Sequence, residues 1–251
     1  MQLSELGFAI GITSGVFGML AAHEVIHSRH AGERALGLAM LAAVGYMHFR
    51  ISHVHFHHRL AATLADPATA RRGESVYAFI ARSIGGQWRQ SWTYERRRAV
   101  RRRHPWLANR MHHYLLVTFA IAAALSLVVG GRALAFAAIH GAVAVFVLEL
   151  FNYVAHYGLQ RRRLPNGAVE VLGPQHSWNA PQRFTNWALF NSGHHSGHHD
   201  RPTAPHQNLT AWPNAPSLPA GYAATFCLAL CPPVWRKIMD PRVTEASRRS
   251  P

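Results

Sequence analysis

The chain has 251 residues, enough for one domain or two small ones with a real core. It is 49% hydrophobic and only 15% charged, with 26 basic against 11 acidic side chains, a formal charge of +15 and 19 histidines. Such a charge would suit nucleic acid, but the arginines stand in blocks between apolar runs. That is the pattern of cytoplasmic loops in a polytopic membrane protein, and it argues against a nucleic-acid partner.

In chain order, Leu6–Ala22 is an uncharged apolar run at the short end of what spans a bilayer, and no basic segment of the signal-peptide kind stands ahead of it. It delivers His23 and His27 at its far end. The interval between His30 and His53 is too short to cross a membrane and return at ~20 residues per pass. If the histidines on either side share one site, Ala35–Met47 is a re-entrant or interfacial helix, or a short hairpin with the next segment.

Arg59–His113 is a long polar stretch carrying Arg71, Arg72, Arg96, Arg97, Arg98, Arg101, Arg102 and Arg103; it reads as a solvated region, cytoplasmic by the positive-inside rule. Tyr114–Val129 and Ala133–Phe151, joined by Gly130, Gly131 and Arg132, read as a transmembrane hairpin. The hairpin returns His156 to the cytoplasmic face, beside Arg161, Arg162 and Arg163. Ala220–Trp235 is apolar but interrupted by Cys231-Pro232-Pro233, which favours an interfacial segment over a span. Cys227 and Cys231, the only cysteines, are expected to be buried; they form neither a disulfide framework nor a CxxC metal pair. The expected fold is all-α: a polytopic membrane helical bundle forming a single domain over 1–240, with a cytoplasmic polyhistidine di-metal site. A basic, disordered tail over 241–251 is expected to follow.

The chemistry is carried by histidine spacing. His195, His198 and His199 in NSGHHSGHH stand at i, i+3 and i+4, which places three imidazoles on one helical face. His23 and His27 stand at i, i+4 in HEVIH; His53, His57 and His58 cluster in SHVHFHH; His156 sits in NYVAHYG. Imidazole is the commonest nitrogen ligand for transition metals. One tetrahedral zinc takes three or four ligands, so nine histidines suit two metals at roughly four or five nitrogens each, with positions left for oxygen. Imidazole by itself suits iron and zinc alike. A zinc protease built on HEVIH, with Glu24 as base, would explain one cluster and leave seven histidines idle. Glu149, near the end of an apolar span, is costly there. It either serves the site or is a helix-end carboxylate reaching the interface or an arginine. Glu24, Asn152, His176, Trp178, His194 and Asp200 are further candidates to support the ligands, whereas His30, His48, His55 and His140 read as neighbours or core.

HEVIHSRH, SHVHFHH followed by DPATARRGES, LELFNYVAHYGL, HSWN and HHSGHHDRPT together resemble the integral-membrane alkane 1-monooxygenases. These belong to the wider membrane fatty acid desaturase/hydroxylase superfamily, and the resemblance runs from about residue 20 to about residue 210. It implies a non-haem di-iron centre, two iron ions held by the nine histidines, that uses O2 to place one oxygen atom on a terminal C–H bond of an alkane or alkyl chain drawn from the bilayer. It further implies a separate rubredoxin or ferredoxin electron donor with its reductase, and a bacterial inner-membrane location with the site on the cytoplasmic side. An acidic rubredoxin would suit the arginine-rich face. Within the superfamily the alternative is a fatty acyl or lipid desaturase or hydroxylase; of another class, a catalytically degenerate metal-binding membrane homologue. The chain departs from the family pattern at four positions. Ser52 and Ala155 stand where glutamates are usual, Phe56 where glycine is, and Gly197 where aspartate is. The segment ahead of the first histidine pair is also shorter than in typical family members.

Overall fold

The computed structural model describes residues 3–102, 105–210, 212 and 214–249, so Arg103 of the arginine block and the last two residues of the tail lie outside it. The chain forms helices α1 (Leu3–Val25), α2 (Ala31–Ala43), α3 (49–60), α4 (Val76–Val100), α5 (Pro105–Ala108), α6 (Arg110–Val129), α7 (Arg132–His156), α8 (Arg183–Ala188), α9 (His195–Asp200), α10 (Tyr222–Ala229) and α11 (Pro232–Arg249). Among the described residues strand pairing is limited to isolated bridges. Helices α1, α6 and α7, of 23, 20 and 25 residues, are long and apolar enough to cross a membrane. Helix α2 has 13 residues; at about 1.5 Å rise per residue it falls short of a bilayer's hydrocarbon thickness. The turn between α6 and α7 is as tight as its glycines suggest: Gly130 takes φ +90° and donates its N–H to the Ser126 carbonyl at 2.9 Å.

The chain divides into two compact units, one made of Met1–His55 and Gly85–Leu148, the other of Phe56–Ile84 and Glu149–Pro251. In the first, α1 lies against α7 through Gly7, Gly11 and Gly15, one per helical turn. A Cβ added at Gly11 would stand 2.7 Å from Val143 Cβ, and one at Gly15 would stand 2.6 Å from Val147 Cβ. Small residues let membrane helices approach this closely, and a polar tie between His140 Nε2 and Ser14 Oγ at 2.9 Å adds to the packing. The arginine block is not all solvated. Glu95 on α4 is fully buried and accepts from Arg98 Nη2 at 3.0 Å and Arg110 Nη2 at 2.6 Å. Arg98 therefore serves the interior of the unit.

The second unit is built around the buried rings of Tyr153, Tyr157, Trp178, Tyr222 and Trp235. Two expectations are corrected here. The tail beyond residue 240 is helical through Arg249, because α11 buries Met239 and Val243 and its Asp240 accepts from the Tyr157 hydroxyl at 2.7 Å. Cys227 and Cys231 are exposed, because α10 buries its Tyr222, Thr225 and Ala229 face instead. The break foreseen at Cys231-Pro232-Pro233 falls between α10 and α11, with Pro232 opening the new helix.

Candidate metal centre

In the second unit three helix segments deliver histidines. Helix α3 carries a π-turn over His53–His57, which offsets the ring positions within one short segment. Helix α7 ends at His156 because Gly158 adopts φ +72° and turns the chain, its N–H donating to the Ala70 carbonyl at 2.9 Å. Helix α9 begins after a left-handed turn at Phe190 and Asn191. Its first turn is capped from afar: Asn179 Oδ1 accepts from the Ser196 hydroxyl at 2.9 Å and from its backbone N–H at 3.2 Å.

These segments bring His57, His156, His195 and His199 together, with ligand atoms all within 4.8 Å of one another. The Nε2 atoms of His156, His195 and His199 form a triangle with sides of 3.0, 3.1 and 3.2 Å. Three mutual hydrogen bonds are impossible here, because each Nε2 has a single proton or a single lone pair. At metal–nitrogen distances of about 2.0–2.1 Å, nitrogens at right-angled to tetrahedral positions on one ion stand about 2.9–3.4 Å apart. The donor set therefore fits a metal ion.

Tautomers are assigned by the outer nitrogens. His57 Nδ1–H donates to Asp66 Oδ2 at 2.8 Å, and His156 Nδ1–H to the His176 carbonyl at 3.3 Å. Both leave the Nε2 lone pair toward the cluster. Asp66, buried, also accepts from Thr69 Oγ1 at 2.7 Å and from the Ala68 N–H at 3.1 Å. Burial opposes its charge, but His57 and Thr69 hold its carboxyl below the usual carboxylate range. Burial, then the neighbouring imidazoles, pushes the His199 pKa well down, which keeps the ring neutral and able to ligate. The loop bearing Asp66 is gripped by Arg82, which donates to the carbonyls of Pro67 and Thr69 at 3.1 Å each and pairs with Glu74 at 2.7 Å.

His58 and His198, also of the second unit, face one another with Nε2 atoms 3.2 Å apart. In the first unit the rings of His23, His27 and His53 gather with centroids 4.4 Å (His23–His53), 5.0 Å (His27–His53) and 5.4 Å (His23–His27) apart. Phe49 stacks on His53 at 4.8 Å.

The supporting candidates fare unequally. Trp178 brackets His156: its indole N–H donates to the Tyr157 carbonyl and its backbone N–H to the Ala155 carbonyl, both at 2.8 Å. His176 supplies the carbonyl for His156 and accepts the Gly173 N–H at 2.9 Å. Glu149 is fully buried beside Asn152, whose Nδ2 lies 3.4 Å from it, so it does not reach a solvent-exposed helix end. His194 caps α9, its carbonyl accepting the His198 N–H at 3.1 Å. Glu24 is half-buried on α1, next to His23 in the chain. Asp200 is exposed and lies 3.7 Å from Arg201, a surface pair that turns it away from a supporting role. At the positions that depart from the family pattern, Ser52 donates to Gln87 at 2.9 Å. Gly197 is required by proximity, since a Cβ there would stand 2.7 Å from the Thr210 carbonyl. Sequence reasoning missed Asp66, Thr69 and Asn179. The signal available was an aspartate and a threonine within DPATARRGES, and the last residue of HSWN.

Residues 4–228 match the family described as fatty acid desaturase. The chain is 36% identical to an alkane 1-monooxygenase of Ectopseudomonas oleovorans, covering 98% of this chain and 61% of that protein. It is 37% identical to an alkane 1-monooxygenase of Pseudomonas putida, covering 96% and 60% respectively. Against alkane 1-monooxygenase 1 of Alcanivorax borkumensis the identity is 39%, covering 97% and 61%. The chain thus spans about three-fifths of the length of these curated relatives.

Proposed function

This chain belongs to the fatty acid desaturase family, and from that premise we propose that it is an alkane 1-monooxygenase-type membrane hydroxylase with a di-iron site. The reaction is R–CH3 + O2 + 2 e⁻ + 2 H⁺ → R–CH2OH + H2O, at a terminal carbon of an alkane or alkyl chain. The observation that carries the proposal is the converging Nε2 triangle of His156, His195 and His199 with His57 beside it, together with the similarity to enzymes of that name.

The nine histidines hold two metals, the four-histidine set of the second unit holding one of them. Bound iron supplies the redox chemistry that activates O2. Asp66 holds His57 in the ligating tautomer, and the His176–Asn179 segment holds His156 and the start of α9. The bilayer-length helices α1, α6 and α7 place the chain where an apolar substrate dissolves. Electrons come from a separate rubredoxin or ferredoxin with its reductase. The location proposed is a bacterial inner membrane, with the histidines on the cytoplasmic side, where the arginine blocks reside.

The test is turnover of octane by the purified chain in lipid nanodiscs with rubredoxin, reductase and NADH, alongside iron and zinc analysis. Two irons per chain and 1-octanol are expected, with both His156→Ala and His198→Ala losing the alcohol while remaining membrane-inserted. A double bond introduced into an acyl lipid, without alcohol, would replace this reading by a desaturase. Iron-loaded protein with no product on either substrate would mark a degenerate homologue.

A further inference from the structure

We propose that the C-terminal face of α4 is a binding site for the headgroup phosphate of an anionic phospholipid. Trp92, Thr93, Arg96, Arg97, Val100 and Arg101, which recur at helical spacing, line a groove of about 520 Å³. A second groove of about 430 Å³ runs alongside and shares Arg97 and Arg101. The nearby carboxylate, Glu95, is buried and engaged by Arg98 and Arg110. Among the described residues Arg96, Arg97, Arg101 and Arg102 make no ion pair, so the groove presents uncompensated guanidinium groups, the side chain best shaped for phosphate oxygens.

The apolar neighbours identify the source of that phosphate. Trp88 stacks on Trp92 with centroids 6.0 Å apart, Trp92 meets His112 at 5.4 Å, and Trp106 stacks on His112 at 4.3 Å. This aromatic row is open to its surroundings: Trp106 is 74% exposed, as are Leu107 at 75% and Val100 at 69%. Exposed tryptophan and leucine beside unpaired arginine is a poor surface for water and a good one for the headgroup level of a bilayer. The chain then enters the span α6 at Arg110, and its outward Leu116 and Phe119 are 69% and 68% exposed. Acyl chains would cover the apolar residues while the phosphodiester sits among the arginines. A free phosphate would leave the apolar residues uncovered.

The experiment is native mass spectrometry of the whole chain released from mixed micelles of phosphatidylcholine with a minor share of phosphatidylglycerol. Selective retention of phosphatidylglycerol is expected. The double variant Arg97→Gln/Arg101→Gln should lower that selectivity roughly twenty-five-fold, at about fivefold per surface arginine. Trp106→Ala should lower retention of the lipid with its selectivity less affected, and Arg132→Gln, at the other end of α6, should change nothing. Helix content by circular dichroism confirms that each variant is folded. Equal uptake of the two lipids by the unaltered chain, or undiminished selectivity in the double variant, would overturn the proposal. So would release of the lipid by inorganic phosphate alone, or a double variant that keeps the lipid but no longer binds an acidic rubredoxin. Lipid retention is read without turnover, so this inference and the oxygenase reading fail independently.

Discussion

His57 and Asp66, nine residues apart in the chain, share a 2.8 Å hydrogen bond between Nδ1–H and carboxylate in the buried interior of the second unit. The aspartate stands behind the imidazole, aligning it and fixing which nitrogen is left to ligate. The chain lacks glutamates at Ser52 and Ala155, yet it retains a carboxylate that orients the His57 imidazole.

Replacing that carboxylate tests the arrangement. Asp66→Asn keeps the shape but loses the charge, and its amide can present N–H to Nδ1, favouring the wrong tautomer. Metal retention against a chelator should fall about 10–100-fold, with helix content unchanged. Unaltered retention would show that His57 needs no partner.

Gly197 is expected to resist conversion to the residue usual in the family. Gly197→Asp would drive a Cβ to 2.7 Å from the Thr210 carbonyl, displacing the helix that carries His195, His198 and His199. Loss of metal and a lower melting temperature are predicted, by about 1–3 kcal/mol of overpacking. Gly197→Ala should go the same way to a smaller extent; a gain in metal retention in either variant would contradict the packing argument.

The α1–α7 contact predicts a membrane-packing defect. Gly11→Val places branched carbon where Val143 Cβ already stands 2.7 Å from a bare Cβ. The helices must separate, at a cost of about 1–3 kcal/mol, read as a lower melting temperature in detergent. Substituting Gly131, whose Cβ would meet nothing within 4 Å, should have little effect by steric overlap.

Glu95 should make stability depend on acid. Burial opposes its charge, but the hydrogen bonds from Arg110 and Arg98 win and hold its carboxyl down at about 2, against 4.5 unperturbed. A depressed carboxylate stabilises fully above the unfolded value and loses that contribution as pH falls through the folded one. Melting temperature should therefore decline from about pH 4.5 downward, along the window set by these two values. Glu95→Gln should cost about 3 kcal/mol near neutrality and flatten that decline, because two arginines lose their buried partner.

Much of the architecture is legible without coordinates. The runs Tyr114–Val129 and Ala133–Phe151 lie inside α6 and α7, because a bilayer-length apolar run punctuated by paired glycines has few other solutions. The histidine clusters are legible because imidazoles that share a helical face recur at i, i+3 and i+4 in the sequence. The rest was hidden for identifiable reasons. Asp66 lies in a loop whose geometry depends on Arg82 and on Ala62, which holds φ +60° while donating its N–H to Thr69 Oγ1. Asp200 sits next to His199 in sequence yet points to the surface, since adjacency on a helix does not mean a shared face. The basic residues beyond 240 hid the two apolar positions, Met239 and Val243, that dock α11.

The sequence by itself determined the histidine clusters and the three bilayer-length helices, because residue type, spacing and hydropathy are local properties of the chain. Only the tertiary structure decided which imidazoles meet and what aligns them. His156 reaches His195 across 39 residues and His58 reaches His198 across 140. Such meetings depend on close backbone passages at Gly158, Gly193 and Gly197, and on the long-range grip of Asn179 and Trp178, none of which spacing along the chain encodes.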